Sequence, residues 1–203
     1  MKITKYHPGL TRAENGDYIL TGDLISDEGI DIELDDRLVV TGIINTRCGI
    51  KAGYGIKAGY GIKAEWSIKA GDGIEAGCGI KAGDGIEAGC GIKAGWGIEA
   101  GCGIKAGDGI KAGDGIEAGC GIKAGFGIEA GFGIKAGDGI EAGDGIKAGW
   151  GIEAGTYIDC GKRIFAGTFV CDSDDDCDKT IKCAELRNGT VAYGDLVITK
   201  RQS

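Results

Sequence analysis

Residues 73–90 read Gly73-Ile74-Glu75-Ala76-Gly77-Cys78-Gly79-Ile80-Lys81-Ala82-Gly83-Asp84-Gly85-Ile86-Glu87-Ala88-Gly89-Cys90. This is a six-residue unit written three times, G-I-[KE]-A-G-x, in which only the third and sixth positions vary. Within the unit an apolar, a charged and an apolar residue alternate. An extended strand sends successive side chains to opposite faces, so Ile and Ala point inward while Lys or Glu points outward. A helix is the wrong reading. Its period is 3.6, and each interior Gly costs it roughly 1 kcal/mol. The G-x-G segment turns the chain, since Gly accepts backbone angles that other residues avoid. Short strands joined by corners at fixed spacing wind into a coil that stacks on itself.

The register extends well beyond the quoted stretch. Ile32, Leu38, Ile44 and Ile50 keep the spacing of six, and so do Ile152, Ile158, Ile164 and Val170. That predicts 24 hexads in phase from Ile32 to Val170, and it explains the 43 glycines in 203 residues.

The charges select the number of sides. A three-sided coil sets position n+18 over position n. The Lys/Glu positions 51 to 153 then make ten opposite-charge stacks out of fifteen, with one Glu–Glu stack, Glu99 over Glu117. A two-sided coil sets n+12 over n, makes three out of sixteen and stacks Glu on Glu five times. Neighbouring strands lie about 4.8 Å apart, and like charges directly opposite are destabilising. Three sides are therefore expected. The predicted fold is an all-β, single-stranded, three-sided parallel β-helix, three hexads or about 18 residues per coil. Residues 1–31 form an N-terminal cap, 32–170 the repeat, and 171–203 a C-terminal cap with an acidic loop. Thr190–Thr199 reads as a closing hairpin or paired strand.

Composition bounds the function. The net charge is −8, with five basic against nine acidic residues in 1–48 and eleven Lys against fourteen acids in 49–155. Direct nucleic-acid binding needs a basic stripe, which this chain lacks. No run approaches the roughly 18 apolar residues of a membrane span. The start of the chain has no apolar secretory core, so the expected location is cytoplasmic, and the nine cysteines are expected as reduced thiols.

An enzyme is not expected. The one histidine, His7, lies in the N-terminal cap; no Ser–His or Cys–His pair and no phosphate loop appear. No cofactor is implied. Asp172, Asp174 and Asp176 have the alternate spacing of a calcium loop, yet the loop lacks the Gly at its sixth position and the Glu at its twelfth. A solvated acidic turn is the preferred reading there.

The hexad resembles the hexapeptide repeats of left-handed β-helix proteins, many of which are acyltransferases. It departs from their pattern, because here the small Ala follows the Ile by two positions and the residue two before the Ile is Asp, Cys, Tyr, Trp or Phe. Those acyltransferases generally use a His base, which the repeat lacks, so neither their activity nor their handedness is carried over. GIKAG-type arrays are similar to repeats in bacterial and phage proteins. Bactofilins, which polymerise through a β-helix, are similar in size and class.

The strongest functional signal is the corner residue x. The three-sided coil stacks Tyr60, Cys78, Trp96, Asp114, Phe132 and Trp150 on one edge, Tyr54 and Phe126 on a second, and Trp66 on a third. Large rings at outward corners have little structural cause where Asp serves equally well, and exposed aromatic rows are what protein interfaces use. Tyr60, Trp96, Phe132 and Trp150 are the expected partner-binding residues. The expected function is a non-enzymatic protein-binding module, in the manner of a phage- or prophage-encoded inhibitor of a bacterial host or defence protein. Homodimerisation and end-to-end self-association, as in a structural scaffold, are the alternatives. An ice-binding surface is a weaker one, since the regular repeats contain no Thr.

Overall fold

A computed structural model describes residues 1–167 and 178–199. Within them the chain is a parallel β-solenoid, and no described residue is helical. Through the repeat, three-residue strands recur at every hexad, as in Ile92–Ala94, Ile98–Ala100 and Ile104–Ala106. Each pairs in register with the third strand after it: Ile98 with Ile116, Glu99 with Glu117, Ala100 with Ala118. Pairing every third strand makes three columns. The first face runs through Ile50, Ile68 and Ile86. The second runs through Ile56, Ile74 and Ile92, and the third through Ile44, Ile62 and Ile80.

Isoleucine and alanine fill the tube. Every repeat Ile from Ile50 to Ile152, and the Ala two positions later, is buried. Each buried Ile contributes roughly 1.5–3 kcal/mol. On the outside, seven of the expected charge stacks close as ion pairs, including Lys57–Glu75 at 3.2 Å, Lys81–Glu99 at 2.7 Å and Lys111–Glu129 at 3.0 Å. Glu87 lies between Lys69 and Lys105, and these hold its carboxyl below the usual glutamate range.

The two glycines of each unit do different jobs, and neither is the one the sequence suggests. Among the described residues, positive φ occurs only at Gly9, Gly16, Gly22, Gly167, Gly189 and Gly194, all outside the regular units. From Gly59 onward the glycine after the Ala is needed instead for close approach between coils, whereas a Cβ on Gly53 would meet nothing within 4 Å. A Cβ on Gly95 would sit 2.0 Å from the Gly77 carbonyl oxygen. The glycine before each Ile is looser: a Cβ on Gly97 would lie 3.4 Å from the Gly115 oxygen.

The ends depart from this period. Ile30, not Ile32, lies beneath Ile50, and Ile32 takes the alanine place beneath Ala52. The first coils are thus two residues longer than those of the repeat, as the pairs Tyr18–Leu38 and Leu24–Ile44 also show. At the other end the place over Ile152 is taken by Ile181; Val170 lies outside the described residues. The last coil is three residues shorter than those of the repeat, with Leu196 over Ile181. Glu185–Tyr193 and Asp195–Ile198 add to the sheets as parallel strands and form no hairpin with each other.

At the N-terminal end an ion pair is tucked beside the core. Arg37 Nη2 donates to Asp17 Oδ2 at 2.6 Å and Nε donates to Oδ1 at 3.2 Å, and this holds the Asp17 carboxyl below the usual aspartate range.

Candidate interaction edge

The corner residues form continuous backbone ladders. The amide of Cys78 donates to the carbonyl of Tyr60, Trp96 to Cys78, Asp114 to Trp96, Phe132 to Asp114 and Trp150 to Phe132, all at 3.1–3.3 Å. The column expected from the sequence is therefore one physical edge, between the second and third faces. It brings together all four expected binding residues. Trp96 is 62% exposed and Phe132, the most covered of the four, is 36% exposed. Phe132 and Trp150 meet edge to face, with centroids 5.1 Å apart and planes at 75°, the arrangement that the ring quadrupole favours. Successive rings at Tyr60, Trp96 and Phe132 lie two coils apart, or about 10 Å.

Beside this ridge runs a groove of about 690 Å³ along the third face. It is lined by the glycine that follows each corner residue, Gly61, Gly79, Gly97, Gly115 and Gly133, with Lys81, Glu99, Glu117 and Trp150 along it. The like-charged stack Glu99 over Glu117 falls on this same face. It is the one Glu–Glu stack in the repeat, and sequence reasoning noted it without placing it beside the rings. The other two faces carry comparable grooves, so a groove alone marks nothing. The row of rings distinguishes this side.

The remaining rings are isolated. Tyr54 and Phe126 fall on the second edge by the 18-residue count, where the ladder runs from Asp72 through Cys90 and Asp108 to Phe126. Trp66 stands on the third edge above Cys48 and below Asp84. That edge also stacks Cys102 on Cys120, whose backbones are joined by a 3.0 Å hydrogen bond. Partial desolvation by its neighbours, followed by the charges of the nearby Cys102 and Asp138, pushes the exposed Cys120 thiol up. All seven described cysteines are free thiols.

Among the described residues no group of three or more His, Cys, Asp or Glu side chains is placed to hold a metal ion. The calcium candidate Asp172, Asp174 and Asp176 lies outside the described residues. His7 sits in the N-terminal turn, its backbone donating to Thr4 and accepting from Leu10. No helix of the described chain is long and apolar enough to cross a membrane. No family model, curated protein or solved structure matches the chain.

Proposed function

We propose that the protein is a non-enzymatic binding module. Its contact surface is the edge Tyr60–Trp96–Phe132–Trp150 together with the third-face groove, and its partner is another protein that it blocks by occlusion. The observation that carries this reading is the alignment of four exposed rings on one rigid edge while the other edges hold one or two. Trp and Tyr supply large contact area at low entropic cost and dominate interface energetics. The rod supports them without rearrangement, so little ordering cost is added on binding. The charged row beside the groove, with Lys81 next to the Glu99–Glu117 pair, would select partners by complementary charge. An inhibitor of a host or defence protein is one setting that such a surface suits.

The test has two stages. Affinity capture from the native host with mass spectrometry identifies the partner, and titration with the purified partner then measures affinity. Trp96→Ala combined with Trp150→Ala is expected to weaken binding at least about 100-fold while leaving the thermal transition in place, because both rings lie outside the core. Trp66→Ala, on another edge, is expected to leave affinity unchanged. Equal affinity of the double variant and the unsubstituted protein would remove the proposal.

A further inference from the structure

The two ends of the solenoid are finished differently. At the N-terminal end the inward side chains Ile3, Tyr18, Leu20 and Leu24 are buried, Leu24 to 4% exposure, and Met1 and Leu10 pack against them. The strand Leu10–Arg12 lies antiparallel to Tyr18–Leu20 there, and the amino terminus donates to the Gly29 carbonyl at 2.5 Å. At the C-terminal end the last turn consists of Glu185–Tyr193 and Asp195–Ile198, and among the described residues each pairs along one edge only. Among the described residues nothing covers its inward positions. Leu196 is 41% and Ile198 51% exposed, although both stack in register on the buried Ile181 and Cys183. An open strand edge with exposed apolar side chains is a template for another strand.

We propose that a second copy of this chain covers this end, the two rods meeting C-terminus to C-terminus about a two-fold axis perpendicular to their length. The inward residues of the last turn, Leu186, Val191 and Leu196, are evenly spaced by five. A two-fold axis through Val191, the middle of the three, therefore sets that residue against its own equivalent and exchanges the other two faces, bringing Leu186 opposite the second copy's Leu196. Apolar meets apolar at all three sides. The same operation sets Glu185 opposite Val197, Arg187 opposite Asp195 and Thr190 opposite Ala192, so no carboxylate faces another. The strands meet antiparallel, and because a two-fold rotation preserves the hand of a helical ramp, an axis at the middle of the last turn keeps the gap even around the ring. Stacking head to tail would instead press this end on the covered N-terminal one. The contact is self-complementary and closes after two copies, giving a discrete dimer rather than a filament. It lies at the end of the rod, independent of the aromatic edge, and a dimer presents that edge twice.

Sedimentation of the full chain over a concentration series tests this. The expected species is a dimer, and Leu196→Lys is expected to halve the mass while retaining the β-sheet circular dichroism and thermal transition. Val191→Cys under mild oxidation is expected to give a covalent dimer on non-reducing gels beyond what the native cysteines of the unsubstituted protein give, and it decides the matter should the lysine variant fail to fold. A monomer at every concentration would overturn the proposal. So would filaments, absence of the Val191→Cys crosslink, or a dimer that survives Leu196→Lys and is lost in the Trp96→Ala, Trp150→Ala variant.

Discussion

At the scale of single residues, the repeat rests on a distinction that the hexad itself conceals. Both glycines look like turn residues, but their backbones keep the ordinary sign of φ. What separates them is the distance to the neighbouring coil. Gly95→Ala drives a methyl into the Gly77 carbonyl, 2.0 Å away, and is expected to cost about 3 kcal/mol. At Gly97 the nearest backbone oxygen is 3.4 Å from the added Cβ, and the stiffer unfolded chain offsets part of the strain. Gly97→Ala is expected to cost under about 1 kcal/mol. Denaturant unfolding of the two variants checks the ordering. A second residue-scale prediction concerns Asp17. Its folded-state pKa lies below the unfolded value because the Arg37 guanidinium bonds to the charged form. Its stabilisation is therefore present above the ordinary aspartate pKa of about 3.9 and lost as pH falls through the depressed folded value. Asp17→Asn is expected to cost about 1–3 kcal/mol at neutral pH, with the difference from the unsubstituted protein shrinking in acid. A difference independent of pH would contradict this origin.

At the scale of the coil, strand spacing, inward faces and the number of sides were legible because one side chain type occupies each position. An isoleucine row and an alanine row cannot both stay inside unless strands recur with every hexad, and the charge pattern then chooses three sides over two. Ile98 is sealed inside the third face. Ile98→Lys places a charge where no partner can reach it and is expected to abolish the cooperative thermal transition of the rod or lower its midpoint sharply. The aromatic edge followed from the same count, since positions two full coils apart must share a corner. The corner ladder from Tyr60 to Trp150 has the order read from the sequence. The end coils were harder to read. Ile30 and Ile32 are separated by one residue, so either could keep phase with Leu38, and the hexad count selected the wrong one because Ile32 stands a full hexad before Leu38. Only pairing with Ile50 shows that the chain takes two extra residues on that side. Ile181, Leu186, Val191 and Leu196 form a series at spacing five that a search for six passes over.

At the scale of the whole molecule, the solenoid is a convex support with one decorated side and two unlike ends. Its interior is filled by isoleucine and alanine, and its surface chemistry is concentrated in rings and stacked charges. The proposed function stands or falls on recognition through one edge, and oxidative footprinting of the aromatic side chains, free and bound to the partner, is the decisive check. Tyr60, Trp96, Phe132 and Trp150 are expected to be shielded together on binding, while Trp66 and Phe126, comparably exposed on the other edges, keep their reactivity and serve as internal references. Shielding of Trp66 or Phe126 with Trp96 and Phe132 left reactive would rule out recognition through this edge.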